Sequence, residues 1–344
     1  MRNYAGVRPK LAQELAGFTG APRVFRAKFG DPALPIDGGH RLYSALDMRR
    51  IRMSLLGIDD NSTRPLVLPP LINVRMAKGG TGKTTISGNV GSCLSTLGYK
   101  TLMIDGDPQA SLSEMYGINT DDDIVHIGEI MRRASKGEAT KIRDSVYPIY
   151  SGGMLDLIAA DITMAASDEW LIGALRRERT FENLLQKEIA FFSQYDVILI
   201  DSAPSSSLLT TAFMMACKTI LAVVTPEGQA IKALKILESN IMELNQAFPE
   251  KSLVPHIVIN RYNQTKKPHQ EAVEELLLQY KPYLNNTIVR DFVGFLREID
   301  YRDDSKNGPV LEHEPGSVGA RDIIELTKSL IVEYDIKLQA RPLV

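Results

Sequence analysis

Residues 78–85 read KGGTGKTT and directly follow the apolar run LINVRM at residues 71–76. An apolar run that enters a cluster of glycines is typical of a buried strand that ends in a tight turn. The sequence from Lys83 onward favours a helix with small residues on one side. Glycines allow backbone N–H groups to converge on an anion at the positive end of such a helix. The stretch therefore predicts a strand, a phosphate-binding loop and a helix, in that order.

The general phosphate-loop pattern G-x-x-x-x-G-K-[ST] is met only in its second half. Gly82, Lys83 and Thr84 fit it, whereas the position of the first glycine holds Ala77. A second lysine, Lys78, precedes the Gly-Gly pair instead. We expect Lys83 to bridge the β- and γ-phosphates and the Thr84 hydroxyl to bind Mg²⁺. A glycine-rich turn with incidental lysines is the alternative, and the strand–loop–helix context disfavours it.

Acidic residues end two further apolar runs. Residues 101–107 read TLMIDGD, and residues 195–201 read YDVILID. Ligands of parallel sheets bind beyond the carboxyl ends of the strands, so both acidic ends are expected beside the phosphate loop. Asp201 is the candidate to hold Mg²⁺ through water, and Asp107 is the candidate to position the attacking water. The alternative for each aspartate is a helix N-cap or a turn residue.

Taken together, these motifs resemble the ParA/MinD group of deviant Walker-A P-loop ATPases, and within it the ParA partition proteins. The resemblance rests on residues 78–85, on DGDPQ at 105–109, on the strand at 195–204, on Asn89 and on the segment 308–320. It covers about residues 71–335. It implies an α/β fold with a mostly parallel, doubly wound sheet of the P-loop NTPase type, and a small, mainly helical N-terminal domain.

The family also implies roles for single residues. Lys78 would be the signature lysine that reaches the partner's phosphates in an ATP-sandwiched homodimer, and Asn260-Arg261 would contact adenine. The implied cofactors are ATP or ADP and Mg²⁺. The implied catalytic residues are Lys78, Lys83 and Asp107; the implied nucleotide-binding residues are Gly79, Gly80, Thr81, Gly82, Lys83, Thr84, Thr85, Asn260 and Arg261; the implied metal-binding residues are Thr84, Asp105 and Asp201.

The chain departs from the family pattern at three places. Ala203 stands where proline is usual, so a different local turn is expected, and Thr81 stands where valine is common. Residues 291–307 do not follow the commonest family version. The resemblance also implies nonspecific DNA contacts by basic residues late in the fold, for which the candidates are Lys266, Lys267, Arg290, Arg297, Arg302 and Lys306. Each of them, taken singly, is also compatible with an ordinary solvated surface charge.

Composition narrows the functional classes. The chain has 344 residues and a net charge of −2, so it accommodates one large α/β domain with a small appendage and has no overall basic field. Any contact with DNA must therefore come from a local patch. Cys93 and Cys217 lie in apolar helical segments, without metal-site spacing, and are expected in the core of a protein from a reducing compartment. No signal peptide is predicted, which favours a cytoplasmic protein, and the ParA resemblance implies association with the nucleoid.

The first 65 residues form a separate predicted region, followed by an ATPase domain over residues 66–344. Helices are expected at residues 11–17 and 41–53, the second capped near Ser44, with a tight turn or wing at 36–40 and a linker at 59–65. This basic region resembles the N-terminal winged helix-turn-helix of the larger plasmid-type ParA proteins, which implies operator binding. A basic docking or dimerisation arm is the alternative.

The resulting hypothesis is a Mg²⁺-dependent ATPase with weak intrinsic activity that segregates plasmid or chromosomal DNA. ATP would drive dimerisation and nonspecific DNA binding, and a ParB-like partner would stimulate hydrolysis. A MinD-like membrane-positioning protein is one alternative. It is disfavoured because residues 321–338 have mixed charge and are expected to pack on the domain, so no membrane contact is predicted. A nucleotide-switched transcriptional repressor is the other alternative.

Overall fold

The computed structural model describes residues 4, 6–31, 33–59, 62–299 and 308–343. The strands are β1 (Ile36–Asp37), β2 (His40–Arg41), β3 (Thr63–Arg64), β4 (Leu71–Arg75), β5 (Thr101–Gly106), β6 (Val146–Tyr150), β7 (Leu155–Ile158), β8 (Val197–Ser202), β9 (Thr219–Val224), β10 (Val254–Tyr262), β11 (Leu284–Arg290) and β12 (Arg341–Pro342). The helices are α1 (Pro9–Ala16), α2 (Pro22–Phe29), α3 (Ala45–Leu56), α4 (Lys83–Thr96), α5 (Ser111–Met115), α6 (Ile127–Ser135), α7 (Ser167–Ile172), α8 (Thr180–Lys187), α9 (Ile189–Phe192), α10 (Leu208–Ala216), α11 (Ala230–Ala247), α12 (Lys267–Tyr280), α13 (Val310–His313) and α14 (Val318–Glu333).

Eight of the strands form one central sheet in the order β11-β10-β9-β4-β8-β5-β7-β6. Neighbouring strands are parallel, except for the antiparallel pair β6 and β7 at one edge. Strand β4, which carries the phosphate loop, lies between β8 and β9, where the order of the strands along the chain changes direction. Crevices at such points are where open α/β sheets bind ligands. The predicted α/β fold with a mostly parallel sheet is confirmed.

The sheet is covered by apolar cores on both faces. Helices α4 and α14 pack on one face, where Val90 and Leu326 are fully buried. Helices α6, α8, α10 and α11 cover the other face, where Leu184 and Phe213 are fully buried. Strands enclosed on both faces are continuously apolar, which explains why β5 and β8 read as uninterrupted buried runs in the sequence. Both cysteines are buried and unpaired, as expected.

The N-terminal region contains three helices and a short hairpin. Strands β1 and β2 pair through a turn at Gly38-Gly39, whose φ angles of 53° and 78° are both left-handed, as a tight two-residue hairpin turn requires. The helix expected near Ser44 begins at Ala45, and Ser44 and Asp47 form a reciprocal capping box. The helix expected at 11–17 is α1. Helix α2 was not predicted.

Helix α3 packs against the ATPase region through buried arginine contacts. Arg49 is only 6% exposed, pairs with Asp196 and donates to the carbonyl of Gly98 at 3.0 Å. Within the described residues, one continuous apolar core contains buried side chains of both the N-terminal region and the ATPase region, from Val7 near one end of the chain to Leu338 near the other. Strand β3, at the end of the expected linker, pairs in parallel with β12 near the carboxyl end of the chain. Residues 60 and 61 of that linker lie outside the described residues.

The carboxyl-terminal helix expected at residues 321–338 is α14, which starts at Val318 and ends at Glu333. It packs on α4 and β11, and the buried Ile336 and Leu338 follow it in non-helical chain. In the part of the chain that the structure describes, no helix has both the length and the apolar character needed to cross a bilayer.

Candidate nucleotide site

The phosphate loop connects β4 to α4 at the carboxyl edge of the sheet. Gly80 and Gly82 have left-handed φ angles of 75° and 85°. Gly82 immediately precedes α4, and a Cβ atom there would lie 2.3 Å from Nδ2 of Asn260. This position therefore requires glycine both for its backbone conformation and for its packing. The first N–H groups of α4 have no intrahelical acceptors, so the loop and helix together offer donors to an anion.

Lys83 begins α4 and is only 7% exposed. Burial lowers the pKa of its ammonium group, and the carboxylates of Asp201 and Asp107 oppose this by favouring the charged form. A buried ammonium group at the base of a glycine loop fits a phosphate ligand. Burial makes an unpaired positive charge unfavourable, and the negative charge of a phosphate would balance it.

Asp201 receives two hydroxyl hydrogen bonds from α4. Thr84 Oγ1 donates to one carboxyl oxygen at 2.7 Å, and Ser87 Oγ donates to the other at 2.9 Å. Burial raises the pKa of Asp201 to about 6, against the opposing effects of Thr84 and Lys83. A threonine hydroxyl beside a carboxylate suits Mg²⁺, which takes oxygen ligands and keeps several of its waters. Ser87 was missed, although its place one helical turn after Thr84 could have indicated it.

The two aspartates of the DGDPQ motif differ in surroundings. Asp105 lies beside Asp201 in register and accepts from the N–H and hydroxyl of Ser113 at 2.9 and 2.8 Å. Burial raises its pKa to about 7, and the neighbouring Asp201 charge adds to this. Asp107 is partly exposed, and one of its carboxyl oxygens accepts from the N–H of Gln109 at 3.0 Å. Asp105 is therefore fixed within the protein, whereas Asp107 is partly accessible to solvent.

No three histidine, cysteine or acidic side chains converge on one point among the residues described here. A cation at this edge would be held by Thr84, Asp201, water and the ligand's own oxygens. That donor set fits the hard Mg²⁺ ion accompanying a nucleotide rather than a transition metal in a protein cage.

Lys78 contacts a distant part of the same chain. Its ammonium group lies 3.1 Å from the carboxylate of Glu227, in the connection between β9 and α11, and both side chains are partly exposed. The predicted signature lysine is thus held by an intramolecular ion pair. Sequence reasoning did not identify Glu227, because 149 residues separate the two partners.

Asn260 and Arg261, at the end of β10, contact the phosphate loop itself. Asn260 Nδ2 donates to the carbonyl of Thr81 at 2.9 Å, and Arg261 donates to the carbonyl of Gly80 at 3.1 Å. Arg261 also has a left-handed φ of 57°. These two residues hold the loop in its conformation. Adenine contact by the same segment stays a prediction.

Asn89 links α4 to the segment before α13. Its amide donates to Glu298, and its carbonyl oxygen accepts from the N–H of Val310 at 2.9 Å. Glu298 is 2% exposed, and burial raises its pKa well above the ordinary range. The sequence singled out Asn89 and the motif at 308–320 separately, and the structure brings them together.

The basic residues proposed for DNA contact are partly engaged in ion pairs. Arg290 binds Asp322 through two guanidinium nitrogens at 2.9 and 2.5 Å, and Arg297 lies 3.5 Å from Glu314. Lys267 lies 3.6 Å from Glu271, with both side chains largely exposed. Arg302 and Lys306 lie outside the described residues.

Comparisons with known proteins agree with the fold. The family model AAA_31, described as an AAA domain, matches residues 70–253. The cell division protein PomZ of Myxococcus xanthus is 30% identical over 254 residues, covering 74% of this chain and 75% of PomZ. A virulence plasmid ParA family protein of Chlamydia psittaci is 28% identical, covering 74% of this chain and 91% of its own. The chain belongs to the AAA_31 family and is a ParA-type ATPase of the P-loop class.

A solved structure supports the same fold. The cobyrinic acid a,c-diamide synthase of Mycobacterium smegmatis, with bound ATP analogue and magnesium, superposes with a TM-score of 0.63 at 19% identity. It covers 80% of this chain and 100% of its own. At that identity the likeness is one of fold.

Proposed function

We propose that this protein is an ATP-dependent DNA segregation ATPase whose nucleotide binds at the phosphate loop. The observation that carries the proposal is the arrangement of Lys83, Thr84 and Asp201 beside the left-handed glycines at the start of α4. Membership of the ParA-type family and the plasmid ParA relative support a role in partition.

The nucleotide's phosphates would lie against the loop N–H groups and Lys83. Thr84 and Asp201 would hold Mg²⁺, with Asp105 fixed behind Asp201. When bound, Mg²⁺ supplies positive charge at the phosphate oxygens. Asp107, the more exposed of the two motif aspartates, would orient the attacking water. A single chain would leave this positioning incomplete, so intrinsic hydrolysis would be weak.

Lys78 would complete the site of a second copy in an ATP-sandwiched homodimer. Its present partner, Glu227, must release it first, and an exposed ion pair contributes only about 0–1 kcal/mol, so the release is inexpensive. In that dimer the late basic residues would bind DNA phosphates nonspecifically. A ParB-like protein would stimulate hydrolysis and so end DNA binding at the nucleoid.

The N-terminal region supports a second candidate function, operator binding. Helix α2 exposes all of its residues except Phe25 and, to a lesser extent, Phe29, and its exposed cations are Arg23, Arg26 and Lys28. The hairpin β1–β2 is also largely exposed. Helix α3 packs against both α1 and α4 and exposes fewer of its residues than α2 does. We therefore propose α2 and the hairpin, rather than α3, as the part of the N-terminal region that contacts DNA.

The test of the nucleotide function combines ATP binding, phosphate release and mass in solution. The wild-type chain should bind ATP with Mg²⁺, hydrolyse it slowly and shift from monomer to dimer. Lys78→Ala should keep nucleotide binding and lose the dimer or hydrolysis. A Lys78→Ala protein with normal dimerisation and turnover would refute the sandwich.

Point substitutions separate the two DNA-binding functions without removing the N-terminal helices, whose apolar side chains belong to the shared core. Arg23→Ala combined with Arg26→Ala should weaken binding to an operator fragment while ATP-dependent nonspecific binding survives. If the double variant loses both, the chain acts chiefly as a nucleotide-switched repressor.

A further inference from the structure

Arg75 is a buried cation that the nucleotide site described above does not use. It is the last residue of β4, three residues before Lys78, and its side chain is 1% exposed. Ile72 and Val74 of the same strand face the core under α4, so alternation along the strand places Arg75 on the opposite face, toward α10. It therefore lies beneath the loop that leaves β8 after Asp201.

The guanidinium group has no acidic partner within the described part of the chain. One nitrogen donates to the carbonyl of Ser205 at 3.1 Å, another donates to the hydroxyl of Ser206 at 3.2 Å, and Nε has no partner. Burial alone lowers the pKa of Arg75 to about 10. Its charge also disfavours the charged form of Lys83, so two buried cations lie near each other.

These contacts attach the loop after Asp201 to the strand that carries the phosphate loop. Ser206 is also bound from α11, because Asn240 donates to its hydroxyl at 3.2 Å. The next residue, Ser207, caps α10. Arg75 therefore supplies two of the hydrogen bonds that hold this loop against the strand that leads into the phosphate loop.

We propose that Arg75 is a positioning residue for nucleotide hydrolysis: it fixes the loop after Asp201 against β4, and its unpaired charge is balanced by the phosphates of a bound nucleotide. The inference rests on the proposed nucleotide function. A buried charge acts over a longer distance than an exposed one because little water screens it. In the protein without nucleotide, the charge of Arg75 is then not balanced by an anion. The phosphates of a bound nucleotide balance it.

The experiment compares Arg75→Met, Arg75→Lys and wild type for ATP dissociation constant, kcat and melting temperature with and without ATP and Mg²⁺. Arg75→Met should melt no lower than wild type without nucleotide, because it replaces an unpaired buried charge with an apolar chain. Its ATP affinity and its kcat should each fall roughly tenfold. Arg75→Lys should recover the affinity and leave kcat low, because lysine restores the charge without the two-point contact.

The matched control is Arg64→Met. Arg64 also donates to backbone carbonyls, those of Ala340 and Ser193, but lies at the opposite end of the sheet. It should leave ATP affinity and kcat unchanged. An Arg75→Met protein with affinity and kcat within twofold of wild type would overturn the inference.

Ser206→Ala decides the matter if Arg75→Met does not fold. It removes one acceptor and keeps the charge, so kcat should fall while ATP affinity stays at the wild-type value. Wild-type kcat in both Ser206→Ala and Arg75→Lys would overturn the inference. A wild-type protein that neither binds nor hydrolyses ATP would instead refute the proposed function itself.

Discussion

Two aspartates at the two ends of β8 are both buried but have different ion-pair and hydrogen-bond partners. Asp196, just before the strand, and Asp201, near its end, are each only 1% exposed. Asp196 is paired with Arg49 and accepts from the N–H groups of Lys100 and Gln339 at 2.8 and 3.1 Å. Among the described residues, Asp201 accepts hydrogen bonds from the side-chain hydroxyls of Thr84 and Ser87, and Lys83 lies nearby.

The two ends of β8 therefore have different roles: the end at Asp196 stabilises the fold, and the end at Asp201 is suited to binding a ligand. At the amino end, the acid, the arginine and the backbone donors satisfy one another and join α3 to the ATPase region. At the carboxyl end, neither Lys83 nor Arg75 forms an ion pair within the described residues, and the oxygens of Asp201 accept from hydroxyl groups that could also bind a cation. Charges left incompletely paired in a cleft are characteristic of functional sites.

Breaking the ion pair of Arg49 and Asp196, at the amino end of β8, should have the largest effect on stability. Arg49→Met leaves the buried Asp196 carboxylate without its cation, so the free energy of unfolding should fall by about 3–5 kcal/mol. Denaturant titration measures this, and Arg50→Met, an exposed neighbour, is the control with an expected change below about 0.5 kcal/mol. Equal losses of unfolding free energy in Arg49→Met and Arg50→Met would contradict the structural role assigned to the amino end of β8.

Removing Lys83, which lies near the carboxyl end of β8, should lower the ATPase activity without lowering the stability. Lys83→Ala should lower the rate of ATP hydrolysis by on the order of 10²–10³-fold, because the phosphate charge loses its buried counter-ion. The unfolding midpoint without nucleotide should not fall, since a desolvated cation is removed. Phosphate release and thermal unfolding test both parts. Lys337→Ala, at an exposed site, controls for the loss of a lysine, and a Lys83→Ala protein with normal turnover would contradict the site.

The pH dependence of stability tests the buried Glu298 beside α4. Its pKa is raised well above the ordinary value in the folded state, so the fold favours its protonated form. That stabilisation is complete below the pKa of the unfolded chain and is lost as the pH rises toward the folded pKa. Glu298→Gln mimics the protonated acid and should stabilise the protein by about 1–3 kcal/mol at pH 8 and hardly at all at pH 4. Unfolding curves at both pH values measure the difference, and a pH-independent effect would argue against a buried protonated acid.

The smallest effect is expected at the exposed pair of Lys78 and Glu227. Glu227→Gln should change the free energy of unfolding by less than about 1 kcal/mol, because water screens the pair. Stability measurements combined with ATP-dependent dimerisation test this, since release of Lys78 should favour the dimer. A large loss of stability would show that the pair is structural.

Features of the site that depend on local sequence were predictable. The phosphate loop follows from its glycines between an apolar run and a helix, and Asp105 and Asp201 follow from their places at the ends of buried runs. The parallel sheet then brings them together, because the carboxyl ends of its strands share one edge. The cap of α3 was predicted for the same local reason.

Contacts between distant segments were not predictable. Glu227 and Glu298 reach Lys78 and Asn89 across 149 and 209 residues, and a single sequence does not show such pairs. Arg75 could have been noticed as a cation in a buried strand, but its partners lie in a loop 130 residues away. Helix α2 was not predicted because, in its eight residues, the spacing of Phe25 and Phe29 gives only a short apolar repeat.

The central claim is that nucleotide at the phosphate loop controls DNA binding. The most direct measurement is binding of the full chain to a long nonspecific DNA duplex with ATP and Mg²⁺, with ADP and without nucleotide, across a salt series. We predict binding at least about tenfold tighter with ATP than in the other two states, lost steeply with added salt because the contacts are to phosphates, and absent in Lys83→Ala. Equal affinity in all three nucleotide states would contradict the account.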